Sequence, residues 1–180
     1  YRGDTLMITF RGTDSWKDRL TDITFFKMSI PYNNTKSKIR VHSGFITAYK
    51  HENVRGVIHS CISDSVKKIQ IMGHSYGAAL SVLCAVDLQY NFPTKVYEVA
   101  LFGCPRVGNR AFKKSYNSRV FTTLRVENGN DLITKIPPAI FGFRHVGIKI
   151  HIGKPRLPWL LSAEAHRPQH YYSNMWKRMC

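Results

Sequence analysis

Acidic residues and long apolar runs are both scarce in this sequence. The chain of 180 residues carries 11 Asp and Glu against 27 Lys and Arg, a formal net charge of +16. No run of about 18 apolar residues occurs, so the sequence contains no candidate membrane-spanning helix. Such a positive charge attracts polyanions, such as nucleic acid or an anionic lipid surface. The cations are scattered, and no basic stripe with exposed stacking aromatics is evident, so we expect no nucleic-acid partner.

Cysteines are few, and their spacing excludes two kinds of scaffold. Cys61, Cys84, Cys104 and Cys180 show neither the paired spacing of a metal site nor that of a disulfide framework. Nothing in the sequence therefore requires a disulfide, which favours a reducing compartment. The first residue is Tyr1 rather than methionine, and a strand pattern follows within a few residues. We expect that the natural start is missing, so a signal peptide cannot be assessed and no localisation is assigned.

The apolar pattern predicts alternating strands and helices. A chain of this length with 43% hydrophobic residues can bury one substantial core, so we predict a single domain spanning residues 1–180. Predicted strands cover residues 5–10, 25–30, 69–72, 96–102, 120–126 and 143–152, and predicted helices cover 44–66, 75–90 and 111–116. This alternation indicates an α/β fold with a mostly parallel central sheet and helices on both faces. In such sheets, ligands bind beyond the carboxyl ends of the strands.

One pentapeptide, Gly73-His74-Ser75-Tyr76-Gly77, lies between a predicted strand and a predicted helix. The pattern Gly-x-Ser-x-Gly is typical of a nucleophile elbow, a tight turn that holds a serine hydroxyl above the edge of the sheet. Glycines are needed there because a side chain would collide with the neighbouring strand or helix. The alternative is an ordinary strand-to-helix turn, since short glycine motifs recur by chance. The position between a strand and a helix favours the nucleophile.

An acyl-transfer serine needs two further components, an oxyanion hole and an acid. The N–H of Tyr76 is the expected first oxyanion donor, and Thr13, after the first strand, is the expected second. Without the elbow, Thr13 would be interpreted as a plain turn or helix-capping residue. Asp131, beyond a later strand, is the expected acid. Glu127 lies inside that strand, and Asp87, on the helix after the elbow, is expected on the surface.

The base is expected last in chain order, and four histidines follow the acid: His145, His151, His166 and His170. His145 and His151 lie in a strand-like stretch and are expected to be packing or surface residues. Spacing alone leaves both His166 and His170 open as the base. Pro168 places a bend between these two, so only one can readily face the serine.

These residues resemble one family, the class 3 (fungal-type) lipases of the α/β-hydrolase fold. The similar segments are Phe10-Arg11-Gly12-Thr13, 16–22 with Phe25 and Phe26, 41–45, 73–77, 102–109, 130–138 and 141–147. The resemblance of residues 16–22 implies a lid, and the amphipathic pattern of residues 14–22 fits either a lid or an ordinary surface helix turn. The resemblance also implies a structural role for His145. It also carries the base onto His166, because Tyr171 follows five positions later. The chain departs from secreted members in its missing N-terminal helix, the short stretch before the base and the absence of evident disulfides.

The resemblance implies a serine carboxylester hydrolase that acts on lipid esters at a lipid–water interface. Ser75, His166 and Asp131 would form the catalytic triad, with Thr13 and Tyr76 as the oxyanion hole and with no metal or cofactor. The net charge suggests anionic membranes as the surface, and hence a phospholipase or galactolipase as an alternative to a triacylglycerol lipase. A second alternative is a catalytically silent, basic lipid-binding module. The intact site residues favour the enzyme, since binding alone does not need them.

Overall fold

A central sheet of five strands organises the chain, as seen in a computed structural model that describes residues 1–12, 28–32, 34–154 and 160–179. The strands are β1 (Thr5–Phe10), β2 (Met28–Ser29), β3 (Val41–His42), β4 (Lys68–His74), β5 (Val96–Phe102), β6 (Gly108–Asn109), β7 (Thr123–Asn128), β8 (Phe143–Arg144) and β9 (Ile148–Ile152). The helices are α1 (Ser43–Lys50), α2 (Glu52–Ser60), α3 (Tyr76–Asn91), α4 (Arg110–Asn117) and α5 (Pro168–Met179). Three 3-10 turns cover Ile133–Lys135, Ala139–Phe141 and Glu164–His166.

The central sheet has the strand order β1-β4-β5-β7-β9, and every neighbouring pair in it is parallel. A smaller antiparallel sheet, ordered β2-β3-β6-β8, accompanies it. Parallel neighbours bring all the carboxyl ends of the central strands to one edge. The segments that follow β1, β4, β5 and β7 therefore converge at this edge, as the sequence predicts.

Helices cover both faces of the central sheet. Gly73 of β4 faces α3, since a Cβ there would lie 2.6 Å from Ser81 Oγ. Its neighbour His74 points to the opposite face, as successive strand residues must, and its ring contacts Tyr171 of α5 at 5.5 Å between centroids. The long helix α3 is buried continuously from Gly77 to Leu88 and forms the centre of the main core. Within the described residues, no helix is both long enough and apolar enough to cross a membrane.

Two predicted elements are wrong in their continuity. The single helix expected over residues 44–66 is broken at His51, whose φ of −55° and ψ of 134° end α1; the His51 imidazole then caps α2 by accepting from Asn53 N. The strand expected over 143–152 is divided at Gly147, which has a φ of +70°. A Cβ at Gly147 would lie 2.7 Å from Thr123 Cγ2, so only glycine fits this passage from β8 to β9. Of the strand expected over 25–30, residues 25–27 lie outside the described residues.

Asp87 is also wrongly assigned to the surface, because it is only 1% exposed. Its carboxylate accepts hydrogen bonds from Tyr49 Oη at 2.7 Å and from the Arg55 guanidinium at 2.9 and 3.1 Å. His59 Nε2 lies 2.7 Å from the same carboxylate. Burial alone would raise the Asp87 pKa, but the hydrogen bonds from Arg55, His59 and Tyr49 outweigh it and leave the pKa lowered. The sequence pattern misses this cluster because its members come from α1, α2 and α3.

Candidate active site

Ser75 forms a strained turn between β4 and α3. Its φ is 59° and its ψ is −125°. Among the residues that the structure describes, Ser75 is the only non-glycine residue with a positive φ. Such a conformation is costly for an L-residue and marks functional turns. The Ser75 hydroxyl does not cap α3, and Oγ makes no hydrogen bond to the described residues. The Ser75 hydroxyl therefore does not stabilise the start of α3.

Gly73 and Gly77 permit this turn because both stand against neighbouring backbone. A Cβ at Gly77 would lie 2.2 Å from Phe10 O at the end of β1, and one at Gly73 would lie 2.6 Å from Gly77 O. Both distances are far below van der Waals contact. The steric reason expected from the pentapeptide is thus confirmed: a side chain at either position would force β1, β4 and α3 apart.

A cleft of about 690 Å³ opens at the carboxyl edge of the central sheet, beside this turn. Ser75 and His166 both line it, together with residues that end β1, β4 and β5. Further lining residues lie just before α5 or at its first position, namely Ala163, Glu164, Arg167 and Pro168. A volume of this size fits a small organic ligand. The turn hydroxyl and an imidazole therefore share one ligand-sized space.

Asp131 and His166 are brought together although 35 positions separate them in the chain. His166 Nδ1 lies 2.8 Å from Asp131 Oδ2, and both side chains are buried. Tyr171 Oη donates to the same oxygen at 2.6 Å, and Ile133 N donates to Oδ1 at 2.8 Å. An ionised carboxylate only accepts, so His166 Nδ1 is the donor and Nε2 carries the lone pair of the neutral ring. This is the tautomer that a general base requires.

Gly103, directly after β5, provides the space for this pair. Its φ is +57°, and a Cβ there would lie 2.8 Å from His166 Cε1 and 3.1 Å from Asp131 Oδ2. Any side chain at this position would displace the imidazole from the carboxylate. Gly103 belongs to the segment FGCPRVGN (102–109), which the sequence singles out without revealing this role.

His74, inside the elbow pentapeptide, supports His166 from the other side. Its Nε2 donates to His166 O at 2.8 Å, and the two rings stack with centroids 4.5 Å apart. Burial, followed by the nearby His166, lowers the pKa of His74 to about 4. A neutral His74 can therefore hold the backbone and ring of His166 without adding a charge beside it. The sequence did not assign His74 or Tyr171 to the site, although the pentapeptide and the His166–Tyr171 spacing contain both.

The other candidate acids and bases lie elsewhere. His145 Nε2 bonds Thr134 O at 2.8 Å, and burial, aided by Arg125, lowers the His145 pKa to about 3. Burial would raise the pKa of Glu127, but the positive charge of Arg125 and further cations holds it at about 2. His170 is exposed and pairs with Glu164 at 3.1 Å. None of these groups bonds Asp131.

The two expected oxyanion donors are the amides of Tyr76 and Thr13. Tyr76 is the first residue of α3, so its amide lies at the positive end of the helix dipole, next to Ser75. Thr13 lies outside the described residues, as does the expected lid at 14–22. The preceding Gly12 lines the cleft, and a Cβ on it would lie 3.4 Å from Ser75 Cβ. The chain therefore leaves β1 directly beside the elbow.

A parallel sheet with a strained serine at a strand-to-helix turn defines an α/β-hydrolase. The family described as Lipase (class 3) matches residues 7–141. The chain is 36% identical over 156 residues to a lipase of Rhizomucor miehei, covering 81% of this chain and 42% of that protein. It is 31% identical over 152 residues to the chloroplastic phospholipase A(1) DAD1 of Arabidopsis thaliana, covering 75% and 34%. The chain belongs to the class 3 lipase family.

Solved structures agree with this membership. The triacylglyceride lipase of Rhizomucor miehei superimposes with a TM-score of 0.71 at 32% identity, covering 83% of this chain and 58% of that one. Mono- and diacylglycerol lipase from Aspergillus oryzae gives 0.72 at 25% identity, covering 86% and 56%. The resemblance and the α/β-hydrolase fold expected from the sequence are confirmed. The chain spans less than half the length of the curated relatives named above.

Proposed function

We propose that the protein is a serine carboxylester hydrolase acting on acylglycerol-type lipid esters. The observation that carries this proposal is the shared cleft: the strained hydroxyl of Ser75 and the Asp131-bound imidazole of His166 line the same space. A hydroxyl that is held in a costly conformation and does not cap α3 can serve as an attacking group once a base takes its proton. A silent binding module would need neither this strain nor the bond between Asp131 and His166.

The proposed reaction has two halves. His166 Nε2 takes the proton from Ser75 Oγ, which attacks the ester carbonyl, and His166 then protonates the departing alcohol. Water, activated by the same nitrogen, cleaves the acyl-enzyme and releases the fatty acid. Asp131 holds the imidazole in its tautomer and stabilises the imidazolium. No metal or cofactor enters these steps.

The oxyanion would be bound by the amides of Tyr76 and Thr13. Support comes from the position of Tyr76 at the start of α3 and from the approach of Gly12 to Ser75. Losing one such donor costs about 3–4 kcal/mol of transition-state stabilisation in comparable hydrolases. The acyl chain would enter along the apolar side of the cleft, which Phe10 and Phe102 line.

A phospholipase or galactolipase acting on anionic membranes is the second candidate. The net charge of +16 favours it, since each Lys or Arg near an anionic surface contributes about 1 kcal/mol. One relative is a phospholipase A(1), while others are acylglycerol lipases. The two candidates share the reaction and differ in the headgroup on the substrate.

The experiment compares Ser75→Ala, at the elbow, with Ser81→Ala, on the helix that follows it. Both serines are buried. Ser81 Oγ donates to Gly77 O, and Ser81 is not among the residues that line the cleft, so it is the matched control. We expect Ser75→Ala to lower hydrolysis of a soluble p-nitrophenyl ester by about 10⁴-fold or more, and Ser81→Ala to leave most of it. Retention of the full rate by Ser75→Ala would refute the proposal. Assays on triacylglycerol emulsions and phosphatidylglycerol vesicles then separate the two candidates.

A further inference from the structure

The net positive charge is concentrated in the second part of the chain, because acidic residues are scarce there. Residues 99–180 hold 14 of the 27 Lys and Arg but only three of the 11 acidic residues, Glu127, Asp131 and Glu164. Glu127 and Asp131 are buried, and Glu164 pairs with Arg167 at 2.9 Å. The surface formed by this part of the chain therefore has almost no negative charge of its own.

Four of these cations converge on one groove of about 640 Å³ between α4 and β8, which we call the α4–β8 groove. It is lined by Arg110, Lys113, Lys114, Asn117, Ser118 and Arg144. All four cationic side chains are exposed. No ion pair to them occurs in the described part of the chain, whereas Arg55, Lys68 and Arg167 elsewhere are paired. Lys114 also lies in the last turn of α4, where a cation stabilises the helix dipole.

The groove is partly preformed rather than a set of mobile surface side chains. Arg144 Nη1 donates to Ala139 O at 2.7 Å and to Phe143 O at 2.8 Å, which fixes the guanidinium. Asn117 Oδ1 accepts from Gly147 N at 3.0 Å and anchors the end of α4 to the strand passage. An anion entering the groove would thus meet one oriented guanidinium and three further cations.

An apolar turn stands directly beside these cations. The 3-10 turn Ala139–Phe141, which Arg144 bonds, presents Ile140 at 86% exposure and Phe141 at 52%. Exposed large apolar side chains beside unpaired cations form the arrangement that binds the headgroup region of a membrane. Neither feature alone would indicate this, because isolated surface apolar residues are common.

We propose that the α4–β8 groove and the Ala139–Phe141 turn together dock the protein on anionic lipid headgroups, with Ile140 entering the interface. The proposal deepens the proposed function and rests on it for its purpose, because docking would bring the protein to a surface that contains lipid esters. The phosphate of a membrane lipid supplies the negative charge, and the apolar turn favours a lipid surface over a polynucleotide.

The test measures binding without turnover, in a Ser75→Ala background, by cosedimentation with phosphatidylcholine vesicles that contain or lack phosphatidylglycerol. Arg110→Glu/Lys113→Glu/Lys114→Glu is compared with Arg2→Glu/Lys67→Glu/Lys95→Glu, an identical charge change at the amino ends of the central strands. We expect the first triple variant to lose at least about 20-fold in affinity for the anionic vesicles, and the control at most about threefold. Equal losses in both would overturn the proposal, since net charge alone would then explain binding.

A second variant tests the apolar turn. Ile140→Ser changes a side chain that is almost entirely exposed, so folding should be unaffected, and we expect about 3–10-fold weaker binding to anionic vesicles. Unchanged binding by Ile140→Ser and by the first triple variant would reject the surface. So would duplex DNA binding that matches vesicle binding in strength and in its sensitivity to the groove variant.

Failure of docking and failure of the proposed reaction give different results. The groove variant, with Ser75 restored, should hydrolyse a soluble p-nitrophenyl ester at the unmodified rate, because none of its changed residues lines the cleft. Vesicle binding without any ester hydrolysis would reject the proposed function and keep the docking surface. Ester hydrolysis without groove-dependent binding would reject the docking surface and keep the proposed function.

Discussion

Two buried aspartates, Asp131 and Asp87, are each 1% exposed and differ in what surrounds them. Asp131 accepts from a tyrosine hydroxyl, a backbone amide and one imidazole. Asp87 is held by a bidentate guanidinium as well as by a tyrosine, an imidazole and Asn91. No Lys or Arg pairs with Asp131 in the described residues, whereas Arg55 neutralises Asp87.

The difference separates a structural carboxylate from one that can act on a reaction. The charge of Asp87 is compensated locally by Arg55, so its main effect is to tie α2 to α3. The hydrogen-bond donors at Asp131 orient the carboxylate and leave its charge to act on His166. In a low-dielectric site, that charge stabilises an imidazolium when one forms. The same residue type thus serves stability at one place and, in our proposal, catalysis at the other.

The largest expected effect comes from Asp131→Asn. The amide oxygen can still accept from Ile133 N, but the NH₂ then takes the place of Oδ2, faces both Tyr171 Oη and His166 Nδ1, and favours the wrong imidazole tautomer. We expect kcat on a soluble ester to fall on the order of 10³–10⁴-fold, with the free energy of unfolding changed by only about 1 kcal/mol. Steady-state kinetics and denaturant unfolding measure the two quantities, and exposed Asp64→Asn is the control. A loss of stability without a loss of kcat would erase the distinction between the two aspartates.

Asp87→Asn should give the opposite pattern. Removing this carboxylate leaves Arg55 without its counter-charge, and because Arg55 is 38% exposed we expect a loss of about 1–3 kcal/mol in the free energy of unfolding. The kcat of the folded protein should change less than twofold. Asp87→Asn/Arg55→Leu should regain part of the stability. If the double variant loses more unfolding free energy than the two single variants lose together, charge compensation is not the cause.

The pH dependence of stability sharpens the same contrast. The pKa of Asp87 is lowered in the folded protein, so its stabilising contribution is fully present above the ordinary aspartate value and is lost as the pH falls below it. The difference in unfolding free energy between the unmodified protein and Asp87→Asn should be constant above about pH 5 and shrink below about pH 4. A difference that grows on acidification would contradict this sign.

Replacing His74, which bonds the histidine that Asp131 holds, should have the smallest effect. The His74 pKa of about 4 lies below the ordinary 6.5, so the unfolded chain binds more protons between these values and stability falls as the pH is lowered through them. His74→Phe should reduce this slope, with exposed His170→Phe as the control for loss of an imidazole. Loss of the hydrogen bond to His166 O should also lower kcat by about 3–10-fold. An unchanged slope would mean that His74 is not held neutral by burial.

Local sequence patterns predict the fold where a segment alone determines its structure. The bounds of β1 and β5 agree with the prediction, because each is a short run bounded by turn residues. The breaks at His51 and Gly147 were missed, since each depends on a backbone conformation that hydrophobic periodicity does not encode. The burial of Asp87 was missed for a related reason, because its partners come from another part of the chain.

The site was predictable in its parts and not in its assembly. The elbow pentapeptide indicates Ser75 as the candidate nucleophile, and the order of elements indicates the segment with Asp131 as the candidate acid. Which of His166 and His170 meets Asp131 depends on long-range geometry. The structure brings His166 to Asp131 and leaves His170 exposed. The contributions of Tyr171, His74 and Gly103 arise only when β4, β5 and α5 meet at one edge.

The most direct test of the central proposal is the site and rate of reaction with a fluorophosphonate, mapped by peptide mass spectrometry. The account predicts a single adduct, on Ser75, formed far more slowly in His166→Ala, because the hydroxyl depends on that imidazole for its reactivity. An adduct on another residue, or labelling of Ser75 at an unchanged rate in His166→Ala, would contradict the proposed pairing of Ser75 with His166 and Asp131.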